Sequence, residues 1–98
     1  MSLIFQFYHD EDERTCEVKD LVTRYVREGL TPRCANDGLD LWIEFAETNT
    51  MIYLNSETQQ FSAGRVEISL ASLAKDLQRI LGPLRELEFT ISDEDGDV

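Results

Sequence analysis

One imidazole, two thiols and twenty carboxylates are the side chains of this 98-residue chain from which chemistry could be built. Imidazole catalysis would rest on His9 alone. The acids that follow it directly, Asp10, Glu11 and Asp12, suit a solvated surface histidine better than a general base. Cys16 and Cys34 lie in unrelated contexts without a CxxC spacing, so they read as two free thiols and not as zinc ligands or a redox pair. Arg33 beside Cys34 would favour the thiolate slightly, but one basic neighbour without a partner base leaves that thiol inert. The serines carry no nucleophile motif, and no glycine-rich loop is present to cradle phosphate.

The carboxylates are many but not arranged for chemistry. Asp93-Glu94-Asp95-Gly96-Asp97 has the density of a calcium loop, yet it lacks the spaced ligands and final bidentate glutamate of the twelve-residue motif. Residues 10–13 are explained by helix capping, Asp10 with Glu13 three residues later, and by solvation. A carboxylate pair for glycoside cleavage would need a cleft that a domain of this size with an open sheet does not offer. No metal, no cofactor and no enzymatic activity are expected.

What remains is charge. Twenty acids against nine Lys plus Arg leave a net charge of −11. From Cys34 to Gly64 there is no Lys or Arg, only Asp37, Asp40, Glu44, Glu47 and Glu57 among charged residues; residues 86–98 hold six acids and again no base. Direct binding to nucleic acid or to an anionic membrane is thereby excluded, because affinity for phosphate comes from concentrated Lys and Arg. A hydrophobic content of 42% argues against disorder. The N-terminus has no basic region before its apolar run and no window is long enough to span a bilayer, so a cytoplasmic protein is expected.

The elements that position these side chains follow from periodicity. Residues 3–8 alternate as a strand, with Leu3, Phe5 and Phe7 on one side. Val18, Leu21, Val22, Tyr25 and Val26 form a helical stripe that Gly29 and Pro32 close. After a polar connection over residues 31–38, residues 39–47 and 51–54 alternate as an antiparallel hairpin that buries Leu39, Leu41, Ile43, Phe45, Ile52 and Leu54. A turn is expected within residues 55–60 or near Ala63-Gly64, and residues 65–69 are an optional further strand. Leu70, Leu73, Ala74, Leu77, Ile80 and Leu81 make a second helix, capped by Ser69 or Ser72 and ended by Gly82-Pro83. Residues 87–91 are the last strand.

This order, β-α-β-β-(β)-α-β, predicts a two-layer α+β sandwich. Its sheet, antiparallel or mixed, has four to five strands, with two helices on one face and a ferredoxin-like topology as one arrangement. Residues 1–91 form the single domain and 92–98 an acidic, flexible tail. The uncovered face then carries Ile4, Gln6, Tyr8, Asp40, Trp42, Glu44, Met51, Tyr53, Glu67, Glu86 and Glu88. Aromatic residues ringed by carboxylates suit a basic protein partner, such as a nuclease or another nucleic-acid-binding protein, which the acids steer and the aromatics anchor. The expected partner-binding set is Asp40, Trp42, Glu44, Glu47, Tyr53 and Glu57, in an inhibitor of immunity-protein or nucleic-acid-mimic type. The alternative is a homodimer formed through the same face.

Overall fold

The structure is a computed structural model that describes residues 2–10, 14–37, 40–56, 59–93 and 96–97, with backbone only at residues 56, 72–74 and 96–97. In chain order it comprises β1 (Ser2–Tyr8), β2 (Cys16–Glu17), α1 (Val18–Arg27), β3 (Arg33–Asn36), β4 (Leu41–Phe45), β5 (Thr50–Ser56), β6 (Gln60–Ser69), α2 (Leu70–Glu86), β7 (Thr90–Asp93) and β8 (Gly96–Asp97). The strands join in one antiparallel sheet in the order β3-β4-β5-β6-β1-β7-β8, with β2 pairing on the end of β6.

Period-two alternation decides which side of this sheet is dry. Phe5 and Phe7 of β1, Leu41, Ile43 and Phe45 of β4, Ile52 and Leu54 of β5, and Val66 and Ile68 of β6 are buried in one cluster with Leu21, Tyr25, Ile80, Leu81 and Leu84 of the helices. The helices therefore share one layer. The Tyr25 ring packs edge-on to Phe45, 4.8 Å between centroids, and its hydroxyl donates to the Ile80 carbonyl at 2.6 Å, tying α1 to both β4 and α2. A second aromatic group, Phe7, Phe61 and Phe89, fills the space beneath β1, β6 and the entry to β7. Leu3, expected inside, is 41% exposed because it sits at the sheet's end, and Val26 is 56% exposed at the end of α1.

The α+β class and the two-layer arrangement hold, but the sheet is larger than four to five strands. Residues 31–38, read as a connection, contain the edge strand β3, which pairs along β4. The optional strand is the longest in the protein. It begins at Gln60, runs through Ala63-Gly64 without turning, and pairs with β1, β5 and β2. Gly64 makes this possible: a Cβ there would lie 2.2 Å from the Tyr53 carbonyl oxygen and 2.5 Å from the Phe7 ring, so the apparent turn residue is a close-approach residue inside a strand. The ferredoxin-like order is likewise not what forms. From α1 the chain reaches β3 at the sheet edge, with β4, β5 and β6 between it and β1.

Helix boundaries also shift. Asp10 does not cap α1; it accepts a hydrogen bond from the Thr90 hydroxyl, and residues 11–13 lie outside the described residues. Residues 16–17 are held as a strand first, and the Val18 amide donates to the Gln59 carbonyl. The expected stop does close α1, Gly29 adopting φ +83°. Ser69 caps α2 through the Ala71 amide, as its sequence suggests. Pro83, however, sits inside α2, which runs on to Glu86. The proline costs about 3 kcal/mol in a helix interior, which is outweighed by burying Ile80, Leu81 and Leu84 on one stripe at roughly 1.5–3 kcal/mol each. The chain then turns at Glu88, φ +68°, so β7 begins at Thr90 and not at Leu87. Ser92 and Asp93, placed in the tail by composition, pair with Asp97 and Gly96 of β8. Leu39 and the side chains of Leu73 and Ala74 lie outside the described residues. Among the described residues no helix is long and apolar enough to cross a membrane.

Candidate functional site

With both helices on one side, the other side of the sheet carries its own cross-strand rows. In one, Ala35 of β3 stands opposite Trp42 of β4, Trp42 opposite Tyr53 of β5, Tyr53 opposite Arg65 of β6, and Arg65 opposite Gln6 of β1. In the next, Arg33, Glu44, Met51, Glu67 and Ile4 follow one another across the same strands. Directly opposed side chains sit about 5 Å apart at Cβ, so each row is a continuous strip of contacts.

These contacts hold the strip in place. The Trp42 Nε1–H donates to Glu44 Oε1 at 3.0 Å, which fixes the indole along its own strand. The Tyr53 hydroxyl donates to the Met51 sulfur at 3.6 Å. Over the Tyr53 ring lies the Arg65 guanidinium, 4.3 Å from the centroid, while its Nε is 3.4 Å from Glu67 Oε1. Ile4 and Tyr8 are 43% and 36% exposed on the same face. A concavity of about 790 Å³ opens there, bounded by Asp37, Asp40 and Trp42 on one side and Gln6 and Tyr8 on the other, across Tyr53, Asn55, Ala63, Gly64 and Arg65. At its β4 end the Asp40 amide donates to Asp37 Oδ1 at 2.9 Å.

Of the partner-binding residues expected from sequence, Asp40, Trp42, Glu44 and Tyr53 come together on this face. Glu47 does not join them. It lies beyond the opposite end of β4, where Oε1 accepts the Thr31 amide at 2.6 Å and braces the chain between α1 and β3. Glu57 lies outside the described residues. Glu86 and Glu88, expected on the open face, pair elsewhere. Glu86 reaches Arg24 at 3.5 Å and Arg27 at 4.0 Å, and Glu88 pairs with Arg14. Both precede β7, so strand alternation does not govern them. Arg65 is the residue absent from the expected set; inward Val66 and Ile68 already implied that it points outward.

The candidate chemical groups are built into the frame. His9 stacks on Phe89, 3.8 Å between centroids and 6° between planes, with Nδ1 3.2 Å from the Arg14 carbonyl oxygen and Nε2 3.1 Å from that of Leu87. It is half-buried rather than a solvated surface residue. Cys16, 3.8 Å from His9 Nε2, and Cys34 on the edge strand are free thiols, and burial pushes both upward from the ordinary thiol range, against the slight lowering that Arg33 suggested for Cys34. Among the described residues no group of three or more His, Cys, Asp or Glu side chains is gathered as a metal site would need. Comparison with family models, curated proteins and solved structures finds no significant match.

Proposed function

We propose that this protein is a small acidic binding module that takes a basic protein partner on the open face of its sheet and neutralises or regulates it. The observation that carries this reading is the strip from Trp42 to Tyr53. Two aromatic side chains lie side by side on the face opposite the helices, with Glu44 on the same strand as the indole and Asp40 just before that strand, on the same concavity. Aromatic anchors with a surrounding field of one sign are what a steered interface requires. The net charge of −11 selects a partner of opposite sign. In this reading the protein binds and does not catalyse, and an immunity protein or an occupant of a nucleic-acid-binding channel is the physical type.

The test is affinity capture on the immobilised protein at low and then moderate salt, beside a variant carrying Asp40→Lys and Glu44→Lys. Recovery of one basic protein, released by salt and lost with the variant, supports the reading. Equal recovery on the charge-reversed protein overturns the assignment of this face.

A second reading rests on the exposure of Ile4 and Tyr8, which with Trp42 and Met51 could pair with the same face of a second copy. Sedimentation across a hundredfold concentration range separates the two, since a homodimer through this face gains mass with concentration.

A further inference from the structure

We infer that the concavity on the open face takes an arginine side chain of the partner, stacked on Trp42 and held by the carboxylate of Asp40. This deepens the reading of the chain as an acidic binding module and rests on it.

The face already shows how it holds one guanidinium. Arg65 lies over Tyr53 with its central carbon 4.3 Å from the ring centroid, and a carboxylate, Glu67, stands two residues along the same strand. The ring supplies a negative π face and the carboxylate an ionic hydrogen-bond acceptor; a guanidinium, planar and weakly hydrated, uses both at once. Trp42, directly beside Tyr53 on β4, offers a second ring, and among the described residues no guanidinium lies over it as Arg65 lies over Tyr53; Arg33, on the same face, stands opposite Glu44. The neighbour of Trp42 on the far side is Ala35, which is too small to cover the indole. Asp40, the residue just before β4, lines the concavity with Trp42, and its amide is bonded to Asp37 Oδ1. The indole N–H is already used on Glu44, so the ring is fixed and its face is what remains to offer.

The space agrees with this occupant. About 790 Å³ is within the range of formed binding sites, and the shallow middle of the concavity is set by Ala63 and Gly64, small residues between the Trp42 side and the Tyr8 side. Asp40 lines it at one end and Arg65 borders it, so a cation entering beside Trp42 meets a carboxylate on the β4 side and is kept from the β6 side by like charge. Lysine would satisfy the carboxylate but stack poorly on the indole. Arginine satisfies both.

Trp42 is the sole tryptophan, so its emission reports the site directly. The experiment titrates the full chain, at low salt, with capped hexa-arginine and capped hexa-lysine, following Trp42 fluorescence and calorimetric heat in parallel. The expected result is a change in Trp42 emission with the arginine peptide, binding about five- to tenfold tighter than the lysine peptide, and a loss of about tenfold in Asp40→Asn. The Asp40→Asn side chain is exposed and keeps its shape, and unchanged circular dichroism confirms that the fold persists. Equal affinities with unaltered emission would overturn the arginine site while leaving an acidic module that binds cations elsewhere. No heat with either peptide would overturn both this inference and the reading beneath it.

Discussion

The Arg65 guanidinium carbon lies 4.3 Å from the centroid of the Tyr53 ring, the residue directly opposite it across β5 and β6. A basic side chain thus occupies the middle of the most aromatic strip of an acidic protein, and it is kept there by a ring and by Glu67. Replacing it should have two separable effects. Arg65→Gln is expected to lower stability by roughly 0.5–1 kcal/mol, the worth of an exposed cation–π contact, seen as a lower urea midpoint at unchanged slope. The same variant is expected to bind cationic peptides more tightly, because it removes a like charge and uncovers a second ring.

Glu47 tests the division of labour among the acids. Its carboxylate accepts the Thr31 amide and lies away from Trp42, so Glu47→Ala should cost about 0.5–1.5 kcal/mol in stability, as a lost hydrogen bond does. Binding of the basic partner should be unchanged within twofold. A loss of binding comparable with that of Asp40→Lys would place Glu47 in the interface.

Tyr25 predicts an alkaline limb. Burial raises its phenol well above the ordinary value of 10.0, so the folded state holds the proton that the unfolded chain gives up near that value. A group whose pKa is raised in the folded state contributes its full stability below the unfolded value and loses it as pH climbs beyond. Stability should therefore fall above about pH 10, with a slope from this group approaching about 1.4 kcal/mol per pH unit. Tyr25→Phe should lose roughly 0.5–1.5 kcal/mol at neutral pH, through the lost hydrogen bond to the Ile80 carbonyl, and flatten that limb. Urea midpoints of both proteins from pH 7 to 11 measure it.

Gly64 is fixed by sterics and not by backbone freedom. Gly64→Ala drives a methyl group to within van der Waals overlap of the Tyr53 carbonyl and the Phe7 ring, and should destabilise by roughly 2–3 kcal/mol. Thermal or urea unfolding reads this; a neutral effect would mean that β5 and β6 can part locally without cost.

Alternation made the dry faces of β1, β4 and β5 readable before any coordinates, because Phe5, Phe7, Ile43, Phe45 and Ile52 recur at period two with polar residues between. The same rule placed Asp40, Trp42, Glu44 and Tyr53 on one open face. It failed where a strand owes its existence to neighbours. β3 has only Ala35 half-buried and reads as a loop; it is a strand because β4 offers it an edge. The first half of β6 reads as a turn at Ala63-Gly64, yet the missing side chain of Gly64 is what the Phe7 ring and the close approach of β5 demand. Glu47 was placed by extending β4 two residues past Phe45, where the chain has already turned. Pro83 misled for a related reason: local punctuation is outweighed when Leu84 is needed in the core.

β1 lies between β6 and β7, so every hydrogen-bonded neighbour of residues 2–8 comes from residues 63–69 and 90–92. This interior strand is thus completed only by segments that lie far along the chain from it. Until the chain beyond Thr90 has emerged, a newly synthesised Leu3-Ile4-Phe5-Gln6-Phe7 stretch has one bare edge at best, and its alternating aromatic pattern is the kind that pairs with other chains. Assembly of this sheet is therefore governed by pairing between segments far apart along the chain, and loss of β7 would leave β1 with a bare edge.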